Sequence, residues 1–184
     1  MENKETKFLT RTAMLLALAL IFQSIRLLPF MGLSAWYSPY VIGTLVNLCM
    51  IIAVGTVGLS AGVVIALATP IVAYFQGQIP FPIMMPVVAI GNILLVFVFN
   101  FAMKLKFQKY MKEGFSVILA AVCKWLFLFL SVSYILKIFV PAVTESQLLK
   151  ISASMNVPQI ITALAGGFLG VIIISMLKRA KVVK

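Results

Sequence analysis

Apolar residues in this chain gather into long blocks separated by short polar interruptions. Six blocks approach the ~20 residues that a helix needs to cross a bilayer's hydrocarbon. They run from about 12–28, 40–55, 59–75, 83–103, 115–136 and 158–177. The second and third are read from one continuous apolar run, residues 40–75, which as a single helix would be ~54 Å long, well beyond a bilayer's width. Gly55-Thr56-Val57-Gly58 is the place to break it, giving a tight hairpin of two helices. GQIPFPIMMP carries three prolines within seven residues, which suits an ordered loop and a helix start rather than a helix interior. Thr144-Glu145-Ser146-Gln147 is a capping-box pattern followed by Leu148, Ile151 and Met155 at helical spacing, so a short interfacial helix is expected there. Asn156-Val157-Pro158-Gln159 reads as a second N-cap with a reciprocal glutamine and an early proline. The expectation is a single all-α membrane domain over residues 1–184, a bundle of six transmembrane helices.

Composition agrees with that medium. The 184 residues are 63% hydrophobic and 10% charged. That is more apolar surface than a soluble domain of this size can hide. The basic start before an apolar run resembles a signal peptide, but no small-residue cleavage site with a polar mature domain follows, so it is read as a retained first span. Eleven basic residues fall before the first block, between the fourth and fifth, and after the sixth; only Arg26, Lys137 and Lys150 fall on the other side. The positive-inside rule then puts both termini in the cytoplasm and the chain in the cell membrane. A net charge of +11 accounted for in this way calls for no nucleic acid.

What is missing narrows the chemistry. There is no His and no Asp, and Glu2, Glu5, Glu113 and Glu145 all lie outside the apolar blocks. A metal site, a Ser/His/Asp triad and a carboxylate pair each lack a required residue type. No glycine-rich phosphate loop is present for ATP hydrolysis. The chain is therefore read as a non-enzyme without cofactor or metal. Cys49 and Cys123 sit inside apolar blocks as small packing residues.

One residue breaks the fifth block. Lys124 lies near the middle of SVILAAVCKWLFLFLSVSYIL, where a charge costs at least ~2.5 kcal/mol on insertion scales and turns toward a cavity or a partner. At helical spacing it shares a stripe with Phe127, Ser131 and Tyr134, read as the wall of a pocket open to the outside. The structural alternative is a lysine bonded to carbonyls or amides of neighbouring helices. Asn47, Asn92 and Gln23 are further polar residues at depth, each able to bond a ligand or tie helices together, with Gly91 giving Asn92 room for a close approach. Gln159 is a weaker candidate ligand contact, since the cap also claims it, and Gln76 and Gln78, on the outward loop, face either a ligand or water. Trp36 and Tyr37 form either an interfacial aromatic belt or a lid over a ligand. With no membrane carboxylate to pair with, Lys124 disfavours a cationic ligand and favours an anionic or neutral polar one.

A basic six-span chain of this size, with Ala13-x-x-x-Ala17 just after a basic residue in RTAMLLALAL, resembles the substrate-binding S components of energy-coupling factor (ECF) transporters over essentially its whole length. The resemblance implies capture of a vitamin or related micronutrient from outside, and toppling in the membrane on a coupling subunit served by two ATPases. It implies that Ala13 and Ala17 meet that coupling subunit. It also implies a pocket in the outer half, walled by spans four to six and covered by the loop between spans one and two. The lack of His speaks against the nickel and cobalt members. The rival reading is a non-transporting assembly or regulatory protein in which Lys124 is structural.

Overall fold

A computed structural model describes residues 3–25, 38–106, 108–140 and 144–181. Among them are seven α-helices and no strand: α1 (Lys4–Ser24), α2 (Ser38–Thr56), α3 (Leu59–Phe75), α4 (Met84–Ala102), α5 (Lys109–Phe139), α6 (Glu145–Ser154) and α7 (Val157–Arg179). The all-α expectation holds. Arg26, Trp36 and Tyr37 lie outside the described residues. By length and apolar content, four stretches suffice to cross a membrane: Pro39–Thr56, Met84–Ala102, Met111–Phe139 and Glu145–Arg179, the last taking in α6 and α7. Leu59–Phe75 is an apolar helix of shorter length. Large apolar side chains line the outside, among them Leu9, Ile21, Phe97, Phe101, Leu130 and Ile172. Apolar exposure on this scale suits lipid as the surrounding solvent.

Local chemistry sets the helix ends. The chain reverses between α2 and α3 at Gly58, whose φ is 137°. That region is closed to side chains with a Cβ. Thr56 Oγ1 bonds back to the Ile52 carbonyl in the last turn of α2, at 2.7 Å. Pro80 and Pro82 precede α4, and Pro86 falls in its first turn, where no N–H has an intrahelical acceptor to lose. Pro70 is different: it stands inside α3, where it withholds the N–H that would bond the Ala66 carbonyl one turn back. At α6 the Thr144–Gln147 capping box forms in both directions, as its sequence pattern requires.

Helix ends differ from the apolar blocks where polar residues extend the helix, as at α1, which starts at Lys4 rather than near 12. The fifth helix starts at Lys109 rather than near 115, because Lys, Met and Glu are good helix formers and the polar first turn needs no lipid. The Asn156–Gln159 cap does not form. Asn156 Oδ1 instead accepts the indole N–H of Trp125 at 2.7 Å, and Gln159 Nε2 lies 3.6 Å from Met155 Sδ.

α2 is the central helix, packed against α1, α3 and above all α7. Gly166 makes the last contact possible, since a Cβ there would strike the Thr44 carbonyl and lie 2.8 Å from Asn47 Cβ. Two apolar clusters result. One gathers Met50, Ile51, Ile65, Leu95, Phe99 and Ala120; the other gathers Ile79, Met84, Val87, Leu128, Val132 and Leu136. Along α4 and α5 the boundary between them falls at Asn92 and Lys124.

Candidate functional site

A cavity of about 350 Å³ opens at that boundary. One face of α2 lines it from end to middle: Pro39, Ile42, Gly43, Val46 and Asn47, the spacing of a single helical stripe. α3 adds Thr69, Pro70 and Ala73, so the proline-interrupted turn faces the cavity. Gln23 comes from α1, Gln78 and Ile79 from the loop before α4, and Val88 and Asn92 from α4. Lys124 of α5, Ser154 at the end of α6, Met155 in the turn beyond it and Gln159 of α7 complete it. The wall thus draws heavily on α2 and α3, whereas the resemblance implied spans four to six.

Lys124 is 3% exposed and sits among these groups. Its Nζ donates to Asn47 Oδ1 at 2.8 Å. Asn47 Nδ2 in turn donates to Thr162 Oγ1 at 3.3 Å, and the Thr162 hydroxyl donates to the Gln159 carbonyl at 3.2 Å. The direction of the chain follows from its last member: with its proton committed to a backbone carbonyl, Thr162 can only accept from Asn47. That turns the Asn47 amide so that its carbonyl oxygen faces the ammonium. Gly43 lets Thr162 come this close, a Cβ there being 2.9 Å from Thr162 Cγ2. Asn47 is neutral, so it gives Lys124 a hydrogen bond and no countercharge. No carboxylate among the described residues pairs with Lys124.

Asn92 is buried and lines the cavity, and among the described residues its carboxamide has no hydrogen-bond partner. Toward the helix ends a second polar group forms. Gln23 Nε2 donates to the Thr69 carbonyl at 3.0 Å, and Gln78 Nε2 donates to the Gln23 carbonyl at 3.0 Å and to Gln76 Oε1 at 2.7 Å. Gln76 also donates to Ser24 Oγ at 2.8 Å. This network ties the end of α1 to the end of α3 and the loop beyond it.

The structure therefore brings together Lys124, Asn92, Asn47 and Gln159. It does not bring Phe127, Ser131 or Tyr134 to the cavity: Phe127 packs against the second apolar cluster and Tyr134 is 69% exposed. The reason is helical geometry. The buried positions of α5 recur every four residues, Ala120, Lys124, Leu128, Val132 and Leu136. The inward face therefore turns away from the stripe at 127, 131 and 134. Thr162 and Thr69 were missed in the sequence, since a threonine in an apolar helix ordinarily bonds its own backbone and leaves no outward sign. Ala13 and Ala17 are exposed on α1.

No curated protein and no solved structure matches the chain. A family model does, over residues 7–178, and its description is the substrate-specific component of ECF transporters. That match spans nearly the whole chain, cavity included, and the chain belongs to the ECF transporter substrate-specific component family.

Proposed function

We infer that this membrane protein is the high-affinity binding subunit of an ECF-type importer, capturing a vitamin-like or other small micronutrient, neutral or anionic, from outside. The observation that carries the reading is a cavity among apolar helices whose floor holds a buried lysine and a buried Asn92 that, among the described residues, have no countercharge and no carboxamide partner respectively. A bundle core needs neither, and intramembrane ionisable groups mark substrate sites by default. In this reading six spans cross the membrane, both termini are cytoplasmic, and the cavity faces outward. Lys124, Asn92, Asn47 and Gln159 bind the polar end of the ligand, and Ile42, Val46, Val88 and Met155 surround its apolar part. Delivery then requires a transmembrane coupling subunit and two ATPase subunits, since the chain has no phosphate-binding loop of its own.

The test is co-expression with a coupling subunit and an ATPase pair, followed by purification through a tag on this chain. A stable four-part assembly that accumulates micronutrient in ATP-loaded proteoliposomes is expected. A chain that never associates with such subunits, with cellular uptake indifferent to its deletion, overturns the reading.

A further inference from the structure

We propose that the cavity floor is a seat for a single carboxylate, and that the ligand is an aliphatic-bodied monoanion that enters charge first. This rests on the reading of the cavity as the substrate site.

Position, charge and wall chemistry each narrow the ligand. The lining stripe of α2 runs from Pro39 to Asn47. At the rise of an α-helix, that stripe climbs ~12 Å. The charged end is the inner one: Asn47, Asn92 and Lys124 all lie well inside their helices, whereas Pro39, Gln23 and Gln78 lie at helix ends or in a loop. At the floor the ammonium uses one of its N–H donors on Asn47. Of its three, two have no acceptor among the described residues and remain for a ligand. The Asn92 amide supplies a further donor with no protein acceptor among the described residues. A planar carboxylate has two oxygens to receive them, and its single negative charge balances the single positive one. A neutral ligand would satisfy hydrogen bonds yet leave the charge uncompensated in a low-dielectric site. A doubly charged phosphate ester would overshoot it. Between floor and mouth, aliphatic side chains form a continuous part of the wall, from Ile42, Val46, Ala73, Ile79, Val88 and Met155, with Thr69, Ser154 and Gln159 the polar groups among them.

Three probes with the same six-carbon body and different heads test this: hexanoate, hexanamide and hexylammonium. Their binding to the purified full chain in detergent is read by ligand-observed NMR and by the shift in thermal unfolding. We expect hexanoate to bind at least tenfold more tightly than hexanamide, and hexylammonium not to compete with it. In Lys124→Met, a variant expected to fold because an apolar side chain replaces a buried charge of similar length, the preference for hexanoate over hexanamide should vanish. Lys124→Arg, which keeps the charge, should retain it and serves as the folded control if Lys124→Met is unstable. Failure of hexanoate to bind, equal binding of hexanoate and hexanamide, or a preference unchanged in Lys124→Met would each overturn the carboxylate seat. The outcome is separable from the transport reading: an assembly with coupling and ATPase subunits whose binding subunit ignores hexanoate refutes the seat alone. A chain that binds hexanoate but forms no such assembly refutes the importer alone.

Discussion

Thr162 reaches no wall of the cavity, yet it decides what the cavity presents. Its hydroxyl orients Asn47, and Asn47 holds the ammonium of Lys124. Thr162→Val keeps the shape and removes the acceptor of the Asn47 amide N–H, leaving Lys124 alone to hold that amide in place. At about 1 kcal/mol for the lost bond, affinity should fall roughly fivefold. Uptake assays should show a raised KM at unchanged maximal rate, while Thr162→Ser, which keeps the hydroxyl, should stay near wild type. A parallel loss in both variants would mean packing rather than orientation. Thr12 presents the opposite case. It is buried in α1 and its Oγ1 has no hydrogen-bond partner among the described residues. Thr12→Val should therefore raise stability by ~1 kcal/mol, seen as a higher unfolding midpoint with binding unaltered.

At the scale of elements, the α6–α7 turn places Ser154, Met155 and Gln159 against the cavity, and Trp125 of α5 holds that turn through Asn156. The indole also stacks on Phe129, with ring centroids 5.8 Å apart. Trp125→Phe keeps the stacking and loses the tether, so the cavity wall should open more readily. Substrate dissociation measured by stopped flow should speed up several-fold, with the association rate nearly unchanged; an unaltered dissociation rate would show that the turn is held by other contacts. Much of this level was legible in the sequence. The Gly58 reversal, the proline-rich entry to α4 and the capping box at Thr144 all depend on residues a few positions apart, and all three stand in the structure. The side-chain cap read at Asn156 does not form, because its carboxamide oxygen accepts from a tryptophan of another helix.

For the whole molecule, the exposed face of α1 around Ala13 and Ala17 is the one the family resemblance assigns to the coupling subunit. Ala13→Trp and Ala17→Trp should leave ligand binding intact and abolish uptake, since a bulky ring there blocks close helix approach without touching the cavity. Normal uptake in both variants would move the docking surface elsewhere. The cavity itself should survive these changes because its floor is built between two apolar clusters on the inner sides of α2, α4 and α5.

The sequence by itself determined the solvent, the helical class, the reversal between α2 and α3 and the presence of a lysine inside an apolar block. Each of these is a property of a single segment, readable from hydropathy, charge and local turn chemistry. The tertiary structure alone decided which face of α5 turns inward and what stands opposite Lys124. Asn47 is 77 positions away in the chain and Thr162 is 115 positions from Asn47. Their meeting depends on how closely Gly166 lets α7 approach α2, a matter of helix crossing that no local pattern encodes.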